Sequence, residues 1–157
     1  MRGGWLIWHD SPVPDPASTS PALVPPRDAE RIVSARGSIA FWEVSPGVYA
    51  TEVGGYMTRD MAQLIIERAE PLYALRGRVY GFHNWFEMEN YESSCRVELT
   101  AWVLGHRDRT ELHIGLRSRL VAMGVSVANL ALGSLIQVHS DMRSLASALA
   151  TAQRASL

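Results

Sequence analysis

The stretch from Thr110 to Asp141 constrains the fold more than any other part of the chain. Glu111 to Leu116 alternates polar and apolar residues, Leu120 to Leu132 is almost wholly apolar, and Leu135 to Ser140 alternates again. The pattern reads as strand, helix, strand. Gly133 follows the last apolar helical residue, where a left-handed residue ends a helix without a Cβ clash. Two strands joined by a helix of this length lie parallel with a right-handed crossover, so the unit predicts an α/β protein.

Ahead of that unit, Ile39 to Val44 and Val48 to Val53 read as strands joined by the turn Ser45-Pro46-Gly47, an antiparallel hairpin. Thr58 is placed to cap a helix running to about Arg76. Its apolar stripe is Met61, Leu64, Ile65, Leu72 and Leu75, with a bend expected at Pro71. Arg78 to Trp85 reads as a strand, Ser93 or Ser94 as the start of a helix stopping at Gly105, and Met142 to about Gln153 as a last helix capped by Ser140 or Asp141. The order is ββαβαβαβα, a mixed, mainly parallel five-stranded sheet. Right-handed crossovers that extend the sheet outward put the helices mostly on one face. The opposite face should then be polar, carrying His83, Glu111, His113, Gln137 and His139.

Residues 1 to 37 read as a proline-rich tail or linker and 38–157 as the α/β domain, because six of the eight prolines precede Arg27. Trp5, Leu6, Ile7 and Trp8 are unusual in such a segment, and we expect them to dock on the domain. At 157 residues, 47% apolar and 20% charged, the chain has the size and balance of a soluble domain with a real core. The net charge of −1 gives no field to attract nucleic acid or an anionic membrane. All fifteen basic residues are arginine, which excludes Schiff-base and phosphate-loop lysines. A single cysteine, Cys95, excludes an intrachain disulfide. No apolar run suits a signal peptide or an integral membrane segment, so a cytoplasmic protein is expected.

The layout of residues 38 to about 153 resembles the STAS superfamily, the SpoIIAA-like fold of bacterial anti-sigma-factor antagonists and of related lipid-binding CRAL-TRIO-like domains. Local features carry the resemblance: Glu70-Pro71-Leu72 with Gly77 before an apolar strand, the charged loop His106 to Thr110, and the segment NWFEMENYESSC. In signalling members a strand ends in Asp and leads into a turn whose first Ser is phosphorylated by a partner kinase. Here Asn84 stands in place of that strand-end Asp, Glu92 in place of the turn's Asp, and Cys95 in place of its Gly. The resemblance then implies Ser93 as the phosphorylation residue and Ser94 as its neighbour. Read from the residues alone, either serine serves as a helix cap. Glu87, Glu89 and Glu92 would repel an added phosphate.

No Gly-rich phosphate loop, nucleophile elbow or HExxH helix is present, and we expect no catalytic residue, cofactor or metal. Three histidines on neighbouring strands suggest zinc, but strands about 4.8 Å apart spread such a row too widely. Cys95 reads as a packed thiol. The helix from Leu120 to Leu132 has only Ser126 and Asn129 to offer water, which points to Val121, Val125, Ala128 and Leu132 as an interface. The sequence therefore predicts a non-enzymatic protein-interaction module in a bacterial regulatory or scaffolding assembly, with a protein partner or a homo-oligomer. The alternative is a carrier of a small apolar ligand or lipid.

Overall fold

Connection length decides how the strands pair. The computed structural model describes residues 23–156. Six strands form one sheet in the order in which they follow along the chain. They are β1 (Glu30–Val33), β2 (Gly37–Ser45), β3 (Val48–Met57), β4 (Val79–Tyr91), β5 (Thr110–Leu116) and β6 (Ile136–His139). Short turns make β1, β2 and β3 an antiparallel meander. The helices α1 (Arg59–Leu75), α2 (Ser93–Gly105) and α3 (Arg119–Ala131) then carry the chain back, so β3 through β6 run parallel. The helix α4 (Met142–Ala155) follows the last strand. No helix among the described residues is long and apolar enough to cross a membrane.

The strand–helix–strand unit falls where the sequence puts it. Ser118 caps α3 by accepting the Val121 N–H, and Gly133 ends that segment at φ 65°. Thr58 occupies the N-cap position of α1, but its side chain makes no capping bond. The Arg59 N–H is taken instead by Oε2 of Glu92 at 3.3 Å. Pro71 lies inside α1, which is assigned helical through Leu75. Leu75 itself is 76% exposed and stands outside the expected apolar stripe.

Two expectations need correction. The sheet has six strands and not five, because Glu30–Val33 pairs antiparallel with β2 inside the stretch expected to be linker. Leu23 is also buried against the sheet, so the fold reaches well before residue 38. The cluster Trp5 to Trp8 and its docking lie outside the described residues. Second, α1, α2 and α3 share a face, where Ile39, Tyr49, Ile65, Trp85, Leu112 and Val121 join one core. The opposite face is not polar. Leu145, Ala146, Leu149 and Ala152 of α4 pack there on Trp42, Val48, Ala50, Phe82 and Phe86. A Cβ at Gly115 would run into the Phe86 ring, so glycine there lets α4 and β4 close over β5. With both faces covered, β4 is buried almost continuously from Val79 to Phe86, as interior parallel strands are.

Candidate functional site

The helix start after β4 is the first place the sequence singles out. Glu92, extended at φ −67° and ψ 139°, is the N-cap of α2, and Ser93 and Ser94 are its first two helical residues. Neither serine caps the helix, which corrects that part of the expectation. Ser93 is exposed, while the Ser94 hydroxyl donates to Glu92 Oε2 at 3.5 Å. Asn84 is buried within β4 and its Oδ1 accepts the Phe86 N–H, so it does not reach the helix start. Cys95 is 1% exposed, and burial, then the Glu92 charge, pushes its thiol up to about 11. Such a thiol packs and does not react.

The two other features that carried the resemblance meet in space. Glu70 accepts hydrogen bonds from Trp102 Nε1 at 2.6 Å and from His106 Nε2 at 2.7 Å. His106 stacks on Tyr73 at 3.9 Å between ring centroids, and the Tyr73 hydroxyl bonds Thr110 Oγ1 at 2.6 Å. The Trp102 hydrogen bond is the main reason the Glu70 carboxyl titrates below its usual range. The cluster ties the ends of α1 and α2 to the start of β5.

On α3 the expected interface residues are placed the wrong way round. Val121, Val125 and Leu132 are 1%, 7% and 1% exposed and face the core, and Ala128 is half-buried against it. The outward residues are Leu120, Met123, Val127 and Leu130, exposed by 55%, 66%, 49% and 84%. The error is one of rotation about the helix axis. A helix apolar on nearly every side gives no contrast from which to tell its two faces apart.

The histidines divide between the faces. In the β4–β5 register Phe82 aligns with His113 and His83 with Ile114. Side chains aligned on adjacent strands share a face, so His83 lies opposite His113 and His139. The expected row of three is corrected to one and two. His83, 4% exposed, has Nδ1 2.7 Å from Thr51 Oγ1 and Nε2 3.4 Å from the Tyr49 hydroxyl, while Trp85 Nε1 donates to Thr51 Oγ1 at 3.1 Å. Burial, then the nearby His113, lowers His83 to about 3, so it is neutral at pH 7. This network borders an apolar cavity of about 70 Å³ between the sheet and α2 and α3, lined also by Cys95, Leu99, Leu112 and Val125. Ligand pockets run to about 300–1,000 Å³ and a liquid water takes about 30 Å³, so the space as it stands is far short of a lipid.

On the α4 face, side chains expected to stand apart are joined. His113 Nε2 lies 2.8 Å from Glu111 Oε1, and His113 Nδ1 lies 2.9 Å from His139 Nε2. His139 Nδ1 is 2.6 Å from Ser144 Oγ, on the first turn of α4. Ser144 escaped the sequence reading because nothing in the order of residues says that α4 turns back over β5 and β6. Among the described residues no group of three or more His, Cys, Asp or Glu is arranged to hold a metal ion.

No family model matches the chain, and no curated protein matches it. Among solved structures the chain is similar to an uncharacterized protein of the DUF3478 family with a SpoIIAA-like fold, from Shewanella loihica PV-4. The two are 16% identical, the match covers 75% of this chain and 98% of that one, and the TM-score is 0.55. The likeness shows the fold: a SpoIIAA-like α/β domain.

Proposed function

We propose that the chain is a protein-interaction module of a bacterial regulatory or scaffolding assembly, and that it engages a partner helix through the outward side of α3. The observation that carries this reading is the stripe of Leu120, Met123, Val127 and Leu130, each about half exposed or more. Their spacing of three, four and three residues is that of a helix–helix seam, in which such side chains seat between those of the facing helix. Each of these side chains withdrawn from water contributes roughly 1.5–3 kcal/mol, enough in sum to drive association. Symmetric pairing with a second copy is the simplest way to supply the facing helix. The SpoIIAA-like fold supports the reading only as a scaffold on which such roles occur. Ser93 is exposed at the start of α2, and Ser93 phosphorylation belongs to this proposal.

Light scattering on the wild type and on a Met123→Glu/Leu130→Glu variant tests it. The expected result is a dimer that the variant turns into a folded monomer. If the wild type is already a monomer, affinity capture from the native host should retain a protein that the variant loses. A monomeric wild type that captures nothing the variant fails to capture would overturn the proposal. The carrier reading has less support, because the cavity holds about 70 Å³.

A further inference from the structure

The hydrogen-bonded series on the α4 face has a direction. The Glu111 carboxylate accepts at this contact, so His113 carries a hydrogen on Nε2. His113 Nδ1 is then a bare acceptor facing His139 Nε2, which must carry the hydrogen of that bond. This leaves His139 Nδ1 bare, 2.6 Å from Ser144 Oγ, and the hydroxyl donates to it. Every bond points from Ser144 toward the carboxylate. A serine in contact with a neutral imidazole, itself oriented through a second group by a carboxylate, is the arrangement that raises hydroxyl nucleophilicity.

The surroundings hold this geometry. His113 is 3% exposed and lies flat on Phe82, with ring centroids 4.7 Å apart and 3° between planes. Arg78 stands 3.7 Å from the other oxygen of Glu111. Asp141 Oδ1 accepts the Ser144 N–H at 2.8 Å and fixes the backbone of the first turn. Ser144 itself is exposed.

We propose that Ser144 is a base-activated nucleophile that takes an acyl group from a small ester. Oγ attacks the carbonyl carbon while its proton passes to His139 Nδ1. The tetrahedral adduct then expels the alkoxide or phenoxide, which leaves with that proton or as the anion, and an ester remains on Ser144. The positive charge on His139 during attack is stabilised through His113 by Glu111. The Met142 N–H, at the first position of α4, has no acceptor within the helix. Burial, then His113, keeps His139 below its usual range against the opposing pull of Asp141, so the base is neutral at pH 7.

The full-length protein is incubated with p-nitrophenyl acetate, and acetylated peptides are mapped by mass spectrometry. We expect acetylation of Ser144 at a rate that falls in acid as His139, whose range lies below the usual one, takes up a proton. Ser144→Ala should abolish it, and His139→Gln should slow it by about 10²-fold or more, the usual size of a lost general base. Glu111→Gln, which keeps the shape and removes the charge, should slow it too and guards against a His139 variant that folds poorly. Val97→Ala, at an exposed position of α2 on the far side of the sheet, should leave it unchanged. Acetylation spread evenly over exposed serines, or an unchanged Ser144 rate in folded Glu111→Gln, would overturn the proposal.

Discussion

His83 and His113 stand on adjacent strands, but their hydrogen bonds lead to opposite ends. On the three-helix side His83 bonds Thr51 and Tyr49, both buried, and its network stops inside the core. On the α4 side His113 passes through half-buried His139 to exposed Ser144. A buried imidazole with buried partners is a packing element that resists protonation. One whose partners reach the surface is connected to solvent chemistry. The number of helices over each face decides which: three helices seal one, a single helix leaves the rim of the other open.

The largest test of that contrast removes α4. A stop after Ser140 should leave Trp42, Phe82 and Phe86 uncovered and give aggregated or unfolded protein by circular dichroism and light scattering. Burial of Leu145, Leu149 and the two phenylalanines is worth roughly 1.5–3 kcal/mol each, comparable to the whole stability of a domain at about 5–15 kcal/mol. A soluble folded truncation would mean that this face is closed by something else.

Next comes the pairing of Val125→Glu with Met123→Glu. The first puts an unpaired charge into the core and should cost about 3–5 kcal/mol in urea unfolding. The second lies outward and should leave the folding stability of the monomer within about 0.5 kcal/mol of wild type. Equal effects would show that the two sides of α3 are not as distinct as their burial suggests.

The third test is titration. His83 is held at about 3 when folded and returns to about 6.5 when unfolded, so between those values the unfolded chain binds the extra proton. Stability should be complete above pH 6.5 and fall below it by about 1.4 kcal/mol per pH unit toward pH 3. His139, also lowered, adds in the same direction and less, because its surroundings are half open. Denaturant midpoints measured across that range, in wild type and His83→Gln, separate the two faces. A slope unchanged by His83→Gln would assign the effect to the α4 side.

The smallest effect is expected at Ser93. With Glu92 at the cap position, Ser93→Ala should change stability by no more than about 0.5 kcal/mol, against about 1 kcal/mol for a capping serine. A larger loss would restore the capping role by a route other than the observed geometry.

How far the sequence carries can be traced element by element. The unit from β5 to β6 was legible because its period switches from two to helical and back, and a parallel crossover admits one hand. The same rule places α1, α2 and α3, since each must return the chain to a neighbouring strand. α4 has no following strand among the described residues, so crossover handedness says nothing about its side. The clue was in β4, where Tyr80, Phe82 and Phe86 are interleaved with Val79, Trp85 and Met88, leaving neither face free for water. β1 was missed because Glu-Arg-Ile-Val has one alternation and lies among charges and prolines. Its strand character comes from pairing with β2. The histidine division was lost to parity: a strand read one residue out of register reverses every side chain, and only the neighbour alignment of Phe82 with His113 fixes it.

The sequential order of the strands also has a meaning in time. Every strand joins the edge left by its predecessor, so a growing chain can add β2 to β1, β3 to β2 and so on without waiting for distant segments. The three crossover helices protect one side of the sheet as it widens. The other side, with Trp42, Phe82 and Phe86, waits until residues 142–155 have been made. During that interval the nascent domain presents an aromatic surface to whatever is nearby, and the speed at which α4 folds down sets how long it stays vulnerable.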